Sequence, residues 1–221
     1  MKRTKLRERL LPDYTCGEEV MNMVTHIVGG GIGVIAMLLC LWRAWGQPRE
    51  IIGSAIYGFT MIALYSVSSV YHGLLPHMGK KVMQVIDHCT IYFLIAGTYT
   101  PILLVSFVPM YPIIGWGLLA AQWALAALAC TLTAIDLKKY NAFSMICYIA
   151  MGWGIIIFLP QAMQVLGAEG FYVLLSGGIA YTIGAVLYGI GSKKRWFHSI
   201  FHIFVVLGSL LQFLAILLYV L

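Results

Sequence analysis

The chain alternates long apolar runs with short polar connections. Seven runs approach or exceed the roughly 20 residues that a helix needs to cross a bilayer. They cover 21–41, 51–71, 82–107, 111–135, 142–159, 171–190 and 197–221. None alternates polar and apolar positions with the period of two that a barrel strand requires. Hydrocarbon offers no water to backbone groups, so each run must satisfy its own amides and carbonyls, as an α-helix does. The pattern predicts an all-α integral membrane protein, a bundle of seven transmembrane helices. A short basic arm, residues 1–17, precedes one membrane domain over 18–221, and no connection is long enough to divide that domain. The first residues, MKRTKLRERLLPDY, are not followed directly by an apolar stretch or a small-residue cleavage site, so no cleaved leader is expected.

Composition agrees with this class. Hydrophobic residues make up 61% of the chain and charged residues 10%, which leaves too little polar surface to cover a water-facing globule. Charge adds an orientation. With the N-terminus inside, Lys2, Arg3, Lys5, Arg7, Arg9, Lys80, Lys81, Lys138, Lys139, Lys193, Lys194 and Arg195 are cytoplasmic, and only Arg43 and Arg49 are outside. The positive-inside rule then predicts a cytoplasmic N-terminus and an external C-terminus. The net charge of +6 is a rim that meets anionic headgroups, and it calls for no nucleic acid partner. Trp42, Trp45, Trp116, Tyr140 and Trp196 fall near run ends, where an aromatic belt belongs. The cysteines show no CxxC spacing and read as small apolar packers. Pro101 is expected to kink the third helix.

Ionisable groups are costly inside hydrocarbon, so each is a functional candidate that needs a partner. Asp87 is the only acidic residue within a spanning run. His198 and His202 stand i, i+4 in WFHSIFHIF, which puts both rings on one helix face, about 6 Å apart at Cβ. His72 closes the second run, Asp87 opens the third, and the histidine pair opens the seventh, so all four lie at similar depth toward the cytoplasmic side. Three neutral imidazoles leaving one position open are the ligand set of a catalytic zinc site, and a nearby carboxylate can hold a water and take its proton. The bland alternative is a hydrogen-bonded polar plug. Ser68, one turn before His72, either reaches the centre or bonds its own helix carbonyl. Glu19, Asn22 and His26 share a face of the first helix, with Thr25 beside them. They either cap the helix start, the reading favoured here, or steady the centre from behind. His88 points elsewhere than Asp87 and is the weaker ligand candidate, and His77 lies in a loop.

Together these motifs resemble the hemolysin III family, the bacterial branch of the superfamily of progesterone and adipoQ receptors, with alkaline ceramidases more distant. The matching residues are Glu19-x-x-Asn22-x-x-Thr25-His26, Ser68-x-x-x-His72, Asp87, and Phe197-His198-x-x-x-His202 followed by IFVVLG. The resemblance spans nearly the whole chain. It implies a seven-helix bundle with Zn2+ near the cytoplasmic face, held by His72, His198 and His202. Asp87 and Ser68 would contact the zinc-bound water. It further implies ceramidase-like hydrolysis of a membrane lipid at an amide or ester bond, with Asp87 as general base. Two other functions are compatible with it: a sensor or receptor in which zinc is structural, and a cytolytic pore. The receptor branch has a long N-terminal region, whereas this chain has a short arm.

Overall fold

The computed structural model describes residues 4–191 and 194–221. Lys2, Arg3 and Lys193, counted above among the inner charges, lie outside the described residues. Every regular element described is helical: α1 (Cys16–Arg43), α2 (Pro48–Gly73), α3 (Met78–Pro101), α4 (Pro112–Ile135), α5 (Asn141–Trp153), α6 (Leu159–Gly191) and α7 (Phe197–Tyr219), with short helical turns between. Among the described residues, six helical stretches are long and apolar enough to cross a membrane: Cys16–Arg43, Pro48–Gly73, Met78–Met110, Pro112–Ile135, Asn141–Gly191 and Phe197–Tyr219.

Local chemistry sets where these elements start and bend. Thr15 and Glu18 form a capping box, so α1 begins at Cys16, ahead of its apolar run. Pro48 and Pro112 sit in the first turns of α2 and α4, where a missing N–H costs nothing. At Pro101 the chain stays helical and passes into a π-helical segment, Ile102–Phe107. Proline has no N–H to donate back along the helix, and the wider π pattern absorbs the mismatch. The fifth stretch joins α5 to α6 through a tight 3-10 segment, Gly154–Phe158. The expected break between the fifth and sixth runs therefore shrinks to one residue, Gly167, at φ 70° and ψ 165°. That conformation is open to glycine because it has no Cβ.

Sequence neighbours pack side by side, most extensively α6 with α7, α1 with α2 and α2 with α3, and α7 also packs on α1. Cross-links identify the two ends. At one, Lys80 Nζ donates to Glu19 Oε1 (2.6 Å), the Trp196 N–H to Glu18 Oε1 (2.6 Å), and the Thr4 N–H to Asp136 Oδ2 (2.7 Å). At the other, Tyr111 bonds Gln164, and Gly170 lies against Tyr219. Midway, three tyrosines converge on one serine. The hydroxyls of Tyr65 (2.7 Å) and Tyr181 (2.6 Å) meet Ser209 Oγ, and Tyr57 donates to the Ser209 carbonyl (3.4 Å). This buried knot ties α2, α6 and α7 together beneath the end that carries the histidines.

Candidate metal centre

α2 delivers His72 from its last turn, and α7 delivers His198 and His202 from its first two turns. One ring nitrogen from each lies within 4.8 Å of the others, so the three could hold a metal ion. The Nε2 atoms of His198 and His202 are 3.0 Å apart. His72 approaches at ring-centroid distances of 5.4 Å from His198 and 4.9 Å from His202. A test of fit is the His72 ring itself. Its Nδ1 lies 2.6 Å from Glu19 Oε2, which makes Nδ1 the protonated nitrogen. Its Nε2 is then a bare acceptor, and it is buried without a hydrogen-bond partner. A buried acceptor that no protein group satisfies, beside two further imidazoles, fits a cation.

The polar residues of α1 complete the surroundings. Glu19 links His72 to Lys80, and Lys80 Nζ also donates to the Leu74 carbonyl (2.8 Å) and lies 5.3 Å from the centre of the Tyr71 ring. Lys80 is almost wholly buried, so this charge of the expected rim faces inward, and Arg9 is buried as well. Asn22 Nδ2 is 3.4 Å from His72 Nδ1, and the His26 ring stacks on His202 at 3.8 Å. The capping role that Glu19 was expected to fill belongs to Glu18. Glu19 and Asn22 instead touch His72, and His26 touches His202. Thr25 bonds back to the Met21 carbonyl (2.8 Å) and stays within its own helix.

A cavity runs from this cluster along the bundle interior. His26, Ser68, Asp87, His88, His198 and His202 line its polar end, and Leu94, Ile102, Ile155, Phe171 and Leu174 line its apolar length. Asp87 is partly buried, and it and Ser68 both line this cavity. His88 is engaged elsewhere: its Nδ1 donates to the Gln84 carbonyl (2.8 Å) and its Nε2 lies 3.3 Å from the Tyr188 hydroxyl. His77 sits in the exposed turn before α3, its Nδ1 2.6 Å from the Leu75 carbonyl.

Three contributors escaped the sequence reading. Lys80 precedes Asp87 by two helical turns on the same face of α3, a spacing that could have drawn attention to it. Tyr71 packs on His72 at 4.5 Å, and Tyr14 stacks on His198 at 4.8 Å. Aromatic neighbours leave no signal in a chain this rich in aromatics. Burial pushes the Tyr14 phenol up, with Tyr188, Glu19, Glu18 and Asp87 adding to the shift, so it stays protonated.

A sequence model described as Haemolysin-III related matches residues 14–213. The chain is 35% identical to Hemolysin-3 of Bacillus cereus over 206 residues, 92% of each chain. It is 34% identical to the Hemolysin-3 homolog of Bacillus subtilis (strain 168), over 93% of this chain and 96% of that one. Human Monocyte to macrophage differentiation factor is 27% identical, over 91% of this chain and 84% of that protein.

Proposed function

The chain belongs to the haemolysin-III-related family and is a multi-pass integral membrane protein of the bacterial plasma membrane, and from that premise we propose that it is a zinc-dependent hydrolase that cleaves an amide or ester bond in a membrane lipid. One observation carries the reading. His198, His202 and Asp87 stand at the polar end of a cavity whose further lining is mostly apolar, and His72 converges on the same two imidazoles. That is the shape of a lipid, with a reactive polar junction followed by a tail.

Seven crossings fit this reading better than six. The helical stretch of 51 residues would measure about 75 Å at ~1.5 Å per residue, more than twice the ~30 Å of hydrocarbon. Gly167 is the natural turning point. Crossing at both α5 and α6 puts the termini on opposite sides. Lys80, Lys81, Lys138, Lys139, Lys194 and Arg195 all belong to the histidine end, which supports a cytoplasmic N-terminus.

Each residue then has a task. His72, His198 and His202 would hold the zinc, and Glu19 fixes the His72 tautomer so that Nε2 points at the cluster. Lys80 balances Glu19 and keeps that carboxylate in place. Zinc bound there supplies a Lewis acid that polarises an acyl carbonyl and acidifies water. Asp87 takes the proton from the attacking water as general base, and the Ser68 hydroxyl orients that carboxylate or the substrate oxygen. The acyl chain lies along Leu94, Ile102, Ile155 and Leu174, and enters sideways from the inner leaflet.

The test is release of free fatty acid from vesicles carrying ester- and amide-linked lipids together with the purified protein. Release should stop on chelation and return with added zinc. A metal-loaded protein that releases nothing from a broad lipid panel contradicts the reading. The name of the Bacillus cereus relative, Hemolysin-3, favours a second reading, a cytolytic protein. Dye leakage from the same vesicles without lipid cleavage would support it over hydrolysis.

A further inference from the structure

The proposed chemistry uses nothing ahead of α1, yet the N-terminal arm is tied down at both ends. At its far end the Thr4 N–H donates to Asp136 Oδ2 (2.7 Å), Arg9 Nη2 to the Ile135 carbonyl (3.4 Å), and Lys81 Nζ to the Arg7 carbonyl (2.8 Å). Burial raises the Asp136 carboxyl, but the N–H groups of Thr4 and Lys139 and the charge of Arg9 hold it below the usual carboxylate range. Residues 4–9 are thus strapped to the start of α3 and the turn after α4. At the near end, Thr15 and Glu18 cap α1, and Glu18 Oε1 accepts the Trp196 N–H at 2.6 Å. Trp196 holds φ 67°, the one positive φ outside glycine among the described residues. A side chain disfavours that conformation, and the bond to Glu18 offsets the strain directly before α7.

Tyr14 lies between the two anchors. Its ring is nearly parallel to His198, with centroids 4.8 Å apart and planes inclined by 18°, and it sits 6.0 Å from His72. Phe201 at 5.4 Å and Tyr188 at 5.7 Å also neighbour the His198 ring. His198 therefore has aromatic neighbours contributed by the arm, α6 and α7.

We infer that Tyr14 is a positioning residue for the metal centre: held by the strapped arm, its ring covers the water-facing side of His198 and fixes that imidazole where its Nε2 meets the other two ligands. The inference rests on the metal-centre reading and adds a direction to it. Water-borne molecules are kept from the histidines on the side of the arm, and a lipid reaches them through the apolar cavity. A flat ring is the property that matters, so phenylalanine replaces Tyr14 and alanine does not.

Two measurements on the full-length protein separate this inference from the reading beneath it. The first is the rate at which a water-soluble chelator strips zinc. Tyr14→Ala should lose metal about tenfold faster than wild type, as expected when the contacts that close a local opening are removed. Tyr14→Phe should behave as wild type. Asp136→Ala, remote from the histidines, should also accelerate loss because it frees the far end of the strap. The second needs no metal: carbethoxylation of His198 by diethylpyrocarbonate in chelator-treated protein, read by peptide mass spectrometry against exposed His77 as internal reference. Tyr14→Ala and Asp136→Ala should raise the His198-to-His77 ratio, and Tyr14→Phe should not. Unchanged ratios in folded Tyr14→Ala and Asp136→Ala overturn the cover. A wild type that never holds metal overturns the centre instead, and the ratio still decides the cover.

Discussion

The two faces of α6 follow opposite rules. Toward α7, Gly170, Gly177, Gly184 and Gly191 recur at every seventh position. A Cβ at these positions would strike Tyr219 (2.7 Å), Gln212 (2.7 Å), Phe201 and Phe204 (3.3 Å) and the His198 backbone nitrogen (3.0 Å). Toward α5, Gly178 and Gly152 have nothing within 4 Å of a would-be Cβ, and both line the cavity. A hydrogen bond from Trp153 Nε1 to Thr182 Oγ1 (3.0 Å) crosses this looser seam. In lipid no hydrophobic force drives helices together, so close contact through small residues sets the packing. The closed face fixes the register of α7, and with it His198 and His202. The open face leaves room for a tail. The same residue type serves both ends because its neighbours differ.

Substitutions can break this division of labour. The largest effect belongs to the cavity side, where Asp87→Asn should cost about 10²–10⁴ in turnover, the usual worth of a general base. Metal content should stay near wild type, and undiminished fatty acid release would reject Asp87 as the base. Glu19→Gln comes next. It removes the acceptor that orients His72 and should weaken zinc binding by about 10–100-fold in a competition titration. On the closed face, Gly184→Leu forces α6 from α7 at a cost of about 1–3 kcal/mol. Thermal unfolding should fall by roughly 2–4 °C for each kcal/mol, with zinc affinity falling alongside. Gly178→Leu has the smallest effect on stability. It should leave the melting temperature unchanged and shift chain-length preference toward shorter acyl substrates. Equal destabilisation by Gly178→Leu and Gly184→Leu would erase the difference between the faces.

Much of this was legible in the chain. Apolar runs locate the long helical stretches, because in hydrocarbon a run has no alternative to helical pairing, although the fifth and sixth runs fall within one stretch, Asn141–Gly191. His72, Asp87, His198 and His202 share a depth that follows from counting crossings; the structure brings the three histidines together, and Asp87 lines a cavity with two of them, His198 and His202. The breakdown came where rotation about helix axes decides contact. Glu18 caps because it stands three residues after Thr15, a spacing visible in the chain, whereas the angle between α1 and α2 decides that its neighbour Glu19 reaches His72. Lys80 counted as a surface charge because hydropathy cannot separate a rim lysine from one folded back onto a buried carboxylate. Tyr14 was hidden for the same reason, since a short arm carries no period from which to read what it covers.

Metal content by mass spectrometry, on protein purified without chelator, tests the account most directly. The wild type should carry about one zinc ion per chain, as three histidines around one open position imply, and the folded His198→Ala/His202→Ala double variant should carry none. A folded wild type without metal, or a double variant that keeps its zinc, would contradict the centre on which the proposed hydrolysis depends.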